Sequence, residues 1–380
     1  MSRQRDLLLL VRCTRHNRHV QPNGFPVTFR GPAAPRVALV HDYLVAYGGA
    51  ERTLAVMRRI WPDAPVFTSR LDPTAVPPEL GENVVTSFLQ RLPSSPRLWP
   101  YFVLLCPAAF ARFDLRGYDL VVSSASFAAK HVRVPGAHLC YCYTPPRFLW
   151  GYERALNVRR LTLAARLALR AAEWQLRRWD LAAARRVDTL VAISQEVRQR
   201  IRACYAREAR VIYPPLERRW LAAAASADPQ PGSFFLVVSR LLAYKRIDLA
   251  VSAFNRLGWP LVVIGDGPER ARLERMARPN VRFLGFQPDA TVADYLASCR
   301  AFVFPGREDF GLAPLEALAC GRPVIAYAAG GVLEFMQDGV TGALFAEQSC
   351  DALIAALERA VARRYDPAAC RAVAARFSSE

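Results

Sequence analysis

Two acids and two cations in the second half of the sequence have the types and spacing to handle an anionic, hydroxyl-rich ligand. Glu308 and Glu316 bracket a Phe-Gly pair in EDFGLAPLEALACG. Pro314 suits the first turn of a helix and Gly321 its end, which predicts a helix over about 313–320 with Glu316 near its first turn. Gly311 lets the preceding loop pass close to a ligand. The amides of Phe310, Gly311 and Leu312 would then form an anion site at the helix N-terminus. A carboxylate at Glu316 can accept two hydroxyls of a ribose, and Glu308 can grip those of a sugar. The plain alternative is that Glu316 complements the helix dipole while Glu308 is solvated. For the arrangement as a whole, binding is the better reading.

The cations are Arg240 and Lys245 in SRLLAYKR, directly after the apolar run FFLVV. Two positive charges on a loop at the carboxyl end of a strand could neutralise a diphosphate leaving group. Two solvated charges are the ordinary alternative. Against it, lysine occurs only at 130 and 245 in a chain that otherwise uses arginine, so a compact ammonium is wanted there. Two glycine-bearing turns add to the set. VIGDGPERARLE has Gly265 and Gly267 but Arg270 where a dinucleotide fingerprint needs its third glycine, so it is a weak cofactor signal and an adequate strand-to-helix turn. HDYLVAYGGAER places Gly48 and Gly49 just before a helix, where the backbone can approach phosphate or sugar, or simply turn. Gly330 and Gly331 form a comparable pair.

The elements that must position these residues read as short apolar strands alternating with helical segments. RVALVHD, PVFTS, LVVSS, HLCYCY, TLVAIS and RVIY form one series; FFLVVSR, PLVVIGDG, VRFLGF, AFVFPG and PVIAYAAGG form a second. That alternation implies parallel sheets covered on both faces: an α/β protein of two Rossmann-like domains facing each other across a cleft. The expected divisions are a disordered extension over 1–34, an N-terminal domain over 35–213, a Pro/Ala-rich linker over 214–233 and a C-terminal domain over 234–380. Ligands of open α/β sheets bind at the carboxyl ends of the strands.

Composition narrows the class. With 52 % hydrophobic and 22 % charged residues the chain can build real cores. The net charge of +18 is mostly arginine without the aromatic interleaving that stacks bases, so no nucleic-acid partner is expected. Polyphosphates and anionic lipid surfaces remain favoured partners. The nine cysteines lack metal or disulfide spacing, and no apolar run reaches the roughly 20 residues of a membrane span. A cytoplasmic protein is expected. The stretch 147–186 mixes ten arginines with Leu, Ala and three Trp. It reads equally as a helix on the inner face of the membrane or as a helical pair with a Leu/Trp core face.

Taken together, the motifs resemble the GT-B glycosyltransferases of the retaining family 4, over nearly everything from Arg36 to Phe377. The matching features are Glu-x7-Glu at Glu308 and Glu316, the Arg240/Lys245 pair and a GGxE loop at Gly48, Gly49 and Glu51. The stretches GYDLVVSS, YTPPRFLW, LVAISQEVRQRI and VIYPPL look like a bacterial branch with O-antigen and exopolysaccharide mannosyltransferases. The resemblance implies a nucleotide diphosphate sugar as donor (GDP-mannose or a UDP-sugar), no cofactor and, with no Asp-x-Asp motif, no metal. The acceptor would be a glycan or polyprenyl-linked saccharide. It implies that Arg240, Lys245 and the amides at 310–312 hold the diphosphate, helped by Gly265, Gly48 and Gly49. Glu316 would hold the ribose and Glu308 the transferred sugar, with His41, Asp42, Tyr143 and Arg147 on the acceptor side. Tyr143 stands where that branch often has His, and the chain ends at ARFSSE where relatives continue into a further helix. A truncated, catalytically impaired nucleotide-sugar binder is therefore one alternative. A nicotinamide-dependent dehydrogenase, from the incomplete fingerprint, is another.

Overall fold

The computed structural model describes residues 35–93, 99–152, 162–223 and 232–378. The expectation for 1–34 lies outside the described residues, as does the part of 147–186 between 153 and 161. The chain divides into two compact units, Met1–Tyr213 and Pro214–Glu380.

In the first unit, β1 (Val37–His41), β2 (Val66–Thr68), β3 (Val84–Thr86), β4 (Leu120–Ala125), β5 (Ala137–Cys142), β6 (Thr189–Ala192) and β7 (Arg210–Val211) form one parallel sheet in the order β3-β2-β1-β4-β5-β6-β7. The helices that matter are α1 (Gly49–Ile60), α2 (Trp99–Ala111), α3 (Leu163–Arg186) and α4 (Gln195–Tyr205). Every residue of β1, β4 and β6 is buried, the pattern of strands covered on both faces. The order reverses between β1 and β4, whose register pairs His41 with Ser124 at their carboxyl ends. Just beyond, Asp42 accepts the amides of Ser126, Phe127, Ala128 and Ala129 at 2.6–2.9 Å. One buried carboxylate thereby ties the turn after β4 to the end of β1.

The second unit repeats the scheme. Its sheet runs β10-β9-β8-β11-β12-β13, from β8 (Phe235–Val238), β9 (Leu261–Ile264), β10 (Val281–Gly285), β11 (Ala301–Phe304), β12 (Val324–Tyr327) and β13 (Gly342–Phe345), again all parallel. Around it lie α5 (Arg218–Ala223), α6 (Ile247–Leu257), α7 (Arg270–Met276), α8 (Asp289–Ser298), α9 (Leu312–Ala319), α10 (Cys350–Val361) and α11 (Pro367–Ala375). Phe235, Val263, Phe254, Ile325 and Leu357 sit in one core between sheet and helices. The stretch 214–233, expected as a linker, holds α5. Trp220 is only 2 % exposed, α5 packs against α8 and α9, and Leu216 pairs its amide with the Phe377 carbonyl at 2.7 Å. Its Pro- and Ala-rich composition hid one bulky apolar anchor, and one such anchor is enough to dock a short helix.

Lys130, one of the two lysines, is buried in an ion pair with Asp180 of α3 at 2.6 Å and donates to the Phe127 carbonyl at 2.8 Å. Trp150 Nε1 donates to the same Asp180 at 3.0 Å. Two buried histidines complete the interior of this unit. His138 meets Ser123 Oγ at 2.8 Å, and His131 Nδ1 meets the Ala128 carbonyl at 3.1 Å. Burial pushes both imidazoles down to about 3, helped by Arg186 for His138 and by Lys130 for His131.

The sign of the resulting pH dependence is fixed. The folded rings stay neutral while the unfolded chain takes up protons below the ordinary 6.5, so stability is full above that value and declines as pH falls toward 3. Each histidine contributes a slope of at most about 1.4 kcal/mol per pH unit. Urea unfolding of His138→Asn at a series of acid pH values is expected to show a shallower decline than wild type. Superimposable slopes would mean that the folded ring is already charged.

Candidate functional site

In the second unit the sheet order reverses between β8 and β11, and the loops leaving these strands carry the residues singled out by the sequence. After β8 come Arg240 and Lys245; after β11 come Glu308 and the Phe310-Gly311 pair that opens α9. The sequence alone did not show how tightly these loops meet. A Cβ on Gly306 would lie 2.8 Å from the Lys245 carbonyl oxygen and 2.9 Å from its Cα, so the two backbones are in contact. That contact sets Lys245 Nζ in an ion pair with Glu308 Oε2, both side chains mostly buried at 14 % and 17 % exposure. Arg240 is exposed, and among the described residues its guanidinium has no acid partner. The loop thus offers one cation tied to a carboxylate and one open to a ligand.

The neighbouring loops brace the same point. Gly265 has φ +128, and a Cβ there would run into the Ser239 carbonyl, so the VIGDG turn after β9 lies directly on the loop after β8. Asp266 takes the Gly267 amide at 2.7 Å and the Arg270 guanidinium at 2.9 Å, which closes the turn on itself. These glycines are explained by backbone packing on the loop that bears Arg240, with Arg270 spent on Asp266 and Glu274. On the far side, Gly331 donates its amide to the Glu308 carbonyl at 2.8 Å, so the Gly330-Gly331 pair after β12 holds the Glu308 backbone.

α9 begins at Leu312, with Gly311 before it at φ +99, a left-handed conformation in which a side chain would be strained. The N-cap makes no side-chain capping hydrogen bond. Glu316 is half-buried and sits in the second turn, not the first.

The residues assigned to the acceptor side sit differently from expectation. His41, Asp42 and Tyr143 are all buried, at 2 %, 7 % and 8 % exposure. Asp42 is fully engaged by four amides, as described. His41 Nδ1 lies 3.0 Å from Ser124 Oγ, and its Nε2 lies 3.4 Å from Glu51 Oε1. Tyr143 donates to the Ala50 carbonyl at 2.9 Å and lies 2.9 Å from Ser124 Oγ. Burial pushes the Tyr143 hydroxyl far up, as does the nearby Glu51 charge, so it stays protonated. His41, through Glu51, and Tyr143, through the Ala50 carbonyl, connect to the Gly48-Gly49 turn, while Asp42 holds the turn after β4. Arg147 is half-buried at the start of a single helical turn, Arg147–Trp150. The Glu51 carboxylate is the component whose role the sequence reading missed; its position three residues after Gly48, at the start of a helix, was the available signal.

The fold and part of the sequence have counterparts among known proteins. Residues 219–376 match the model of the family described as Glycosyl transferases group 1. The chain is 32 % identical over 133 residues to the O-antigen chain mannosyltransferase C of Escherichia coli, covering 33 % of this chain and 36 % of that protein. It is 35 % identical over 129 residues to a GDP-mannose-dependent alpha-mannosyltransferase of Corynebacterium glutamicum, covering 33 % and 31 %. The chain thus spans less than half the length of these curated relatives. Among solved structures, Anabaena HepE in complex with UDP and glucose superposes with a TM-score of 0.64 at 18 % identity, over 90 % of this chain and 95 % of that one. The two parallel-sheet α/β units are those of the GT-B fold.

A double-mutant cycle on Lys245→Ala and Glu308→Ala, read by urea unfolding, is expected to give a coupling of about 1–2 kcal/mol, because the pair is mostly shielded and held by backbone contact. Additive effects would show that the two side chains act independently.

Proposed function

We propose that the protein is a retaining glycosyltransferase that moves a hexose from a nucleotide diphosphate sugar to a glycan or lipid-linked acceptor in cell-surface polysaccharide synthesis. The observation that carries this reading is the Lys245–Glu308 ion pair, which joins the loop after β8, also bearing Arg240, to the loop that opens α9, at the switch point between β8 and β11. In the proposed reaction Arg240 and Lys245 take up the negative charge that develops on the departing diphosphate, with the amides of Phe310, Gly311 and Leu312. Glu316 holds the ribose hydroxyls and Glu308 orients the transferred sugar. In the first unit, Gly48 and Gly49 are assigned to donor binding and Arg147 to acceptor binding. The leaving phosphate oxygen takes the proton of the attacking acceptor hydroxyl on the same face of the sugar, which retains its configuration without a protein nucleophile. No cofactor or metal enters this scheme.

The ion pair gives the scheme a physical basis. Glu308 keeps Lys245 fixed and partly desolvated before substrate arrives, so little reorganisation remains when charge develops. The mannosyltransferase relatives favour a GDP-mannose donor and the UDP-bound structural neighbour a UDP-sugar.

We further propose that the protein works at the inner face of the membrane as a peripheral enzyme. No described helix is long and apolar enough to cross a bilayer. The outer face of α3, however, exposes Leu163, Leu167 and Trp174 in one row at 73 %, 57 % and 57 %, with Arg170 and Arg178 beside them. Arg178 stacks over the Trp174 ring at 4.5 Å. An apolar row interleaved with arginine suits an anionic lipid surface.

The deciding experiment is a melting-shift screen across GDP-, UDP- and ADP-sugars, followed by transfer of labelled sugar with the donor that stabilises the fold. One nucleotide class is expected to raise the melting temperature, and Glu316→Ala is expected to lower turnover at least about a hundredfold while the protein stays folded. A stabilising nucleotide without turnover would indicate a binder that has lost activity, and near-wild-type turnover of the variant would remove the ribose role. In the same assays the protein should co-sediment with anionic but not neutral vesicles, and Leu167→Asp with Trp174→Asp should abolish this. Equal pelleting with both vesicle types would contradict the lipid surface.

A further inference from the structure

Three aromatic rings from distant parts of the sequence meet at the loop that opens α9. Phe310 stands on that loop, just before Gly311. Phe335 closes the single helical turn Gly331–Glu334 that follows β12, and Phe377 lies two residues past α11. The ring centroids of Phe310 and Phe335 are 5.6 Å apart, those of Phe310 and Phe377 5.7 Å, and those of Phe335 and Phe377 6.0 Å. Each ring therefore touches the other two, at the steep interplanar angles that the aromatic quadrupole favours. All three residues are buried, at 3 %, 2 % and 5 % exposure.

Main chain fixes every corner of this triangle. Ahead of Phe335, Gly331 donates its amide to the Glu308 carbonyl. A Cβ on Gly331 would lie 2.2 Å from Phe310 Cα and 2.3 Å from the Asp309 carbonyl oxygen, so this turn is pressed against the loop's backbone. At Phe377 the amide donates to the Ala374 carbonyl at 3.0 Å, and the carbonyl accepts from Leu216. Beyond Phe310, Gly311 is held in its left-handed conformation, and a Cβ there would meet Pro314 Cγ at 3.0 Å and the Phe304 ring at 3.3 Å. A phenylalanine side chain occupies one of a few staggered wells. Confining both the Cα and the ring of Phe310 leaves the backbone from Asp309 to Gly311 a single setting.

We infer that Phe335 and Phe377 are positioning residues of the proposed donor site: they clamp the Phe310 ring and so set the direction of the Phe310 and Gly311 amides. Both rings are buried and act through Phe310, not on a ligand. That these amides meet a diphosphate rests on the proposed function; the clamp on the loop does not. Through the bond from Leu216, Phe377 also ties the loop to the stretch that leads into α5. A triangle that only filled space would be equivalent to any other buried part of the unit. Leu357 supplies the reference, since it is fully buried in the core of Phe235, Phe254 and Val263, to which none of the three rings belongs.

The test compares Phe377→Ala with Leu357→Ala in the full chain, two large-to-small core truncations of similar kind. The first readout needs no ligand: hydrogen exchange of the Gly331 and Leu315 amides, which bond to the Glu308 and Gly311 carbonyls of the loop. Both are expected to exchange about tenfold faster or more in Phe377→Ala, the effect of freeing one hydrogen-bonded turn, and to stay within about twofold of wild type in Leu357→Ala. Equal acceleration in the two variants, or none in Phe377→Ala, would overturn the clamp. The second readout is titration with GDP against GMP and with UDP against UMP. Phe377→Ala is expected to lose about tenfold in diphosphate affinity while monophosphate affinity holds, and Leu357→Ala to keep both. A diphosphate preference that survives in Phe377→Ala despite faster exchange would overturn the positioning role. Should Phe377→Ala not fold, Phe335→Leu, which keeps apolar bulk and removes a ring, is expected to move both readouts in the same direction, and no change in either would overturn the inference equally. Wild-type protein that binds none of the four nucleotides, with exchange as expected, would sink the transferase reading and leave the clamp standing.

Discussion

Backbone pressed against backbone at the carboxyl ends of four adjacent strands is the constraint on which the second unit depends. Gly306 lies on the main chain of Lys245, Gly265 on that of Ser239, and Gly331 donates to that of Glu308. A side chain at Gly306 or Gly265 would force two of these loops apart. Because the loops touch, a lysine on one and a glutamate on another, far apart in sequence, form a shielded ion pair on the loop that leads into α9. The charges are thus held by main-chain geometry, which is stiffer than any arrangement of long side chains alone.

The first unit reaches a similar end by another route. Its switch-point turn is held by a ring of buried side chains, with Asp42 fastening the turn after β4 and Glu51 the turn before α1. Lys130 and Asp180 serve the same purpose deeper in the unit. The two lysines of an arginine-rich chain are alike in one respect: each is a compact ammonium in an ion pair with a largely buried carboxylate. One of these pairs is sealed in the interior and the other borders the proposed site.

Much of the architecture was readable because parallel strands buried on both faces announce themselves as short Val/Leu/Ile runs. LVVSS, TLVAIS and PLVVIGDG fall on β4, β6 and β9. The helix at 312–319 was legible from Pro314 and Gly321 to within a residue. Burial was what periodicity could not deliver. His41 and Asp42 close the strand RVALVHD and were assigned to the acceptor side, yet both are interior groups bonded to Ser124, Glu51 and four backbone amides. In the same way Trp220 was hidden by the Pro and Ala around it. Long-range partners, such as Lys245 with Glu308 or Tyr143 with Ala50, leave no local signal, since sequence spacing says nothing about which βα loops will lie side by side.

The central claim is that the β8 loop grips a pyrophosphate, and it is tested most directly by calorimetric titration with a nucleoside diphosphate and the matching monophosphate. The account predicts that the diphosphate binds at least about tenfold more tightly, worth about 1.4 kcal/mol, and that Arg240→Ala with Lys245→Ala erases this difference while leaving the monophosphate affinity nearly unchanged. Equal affinities for the two nucleotides, or a preference that survives loss of both cations, would contradict it.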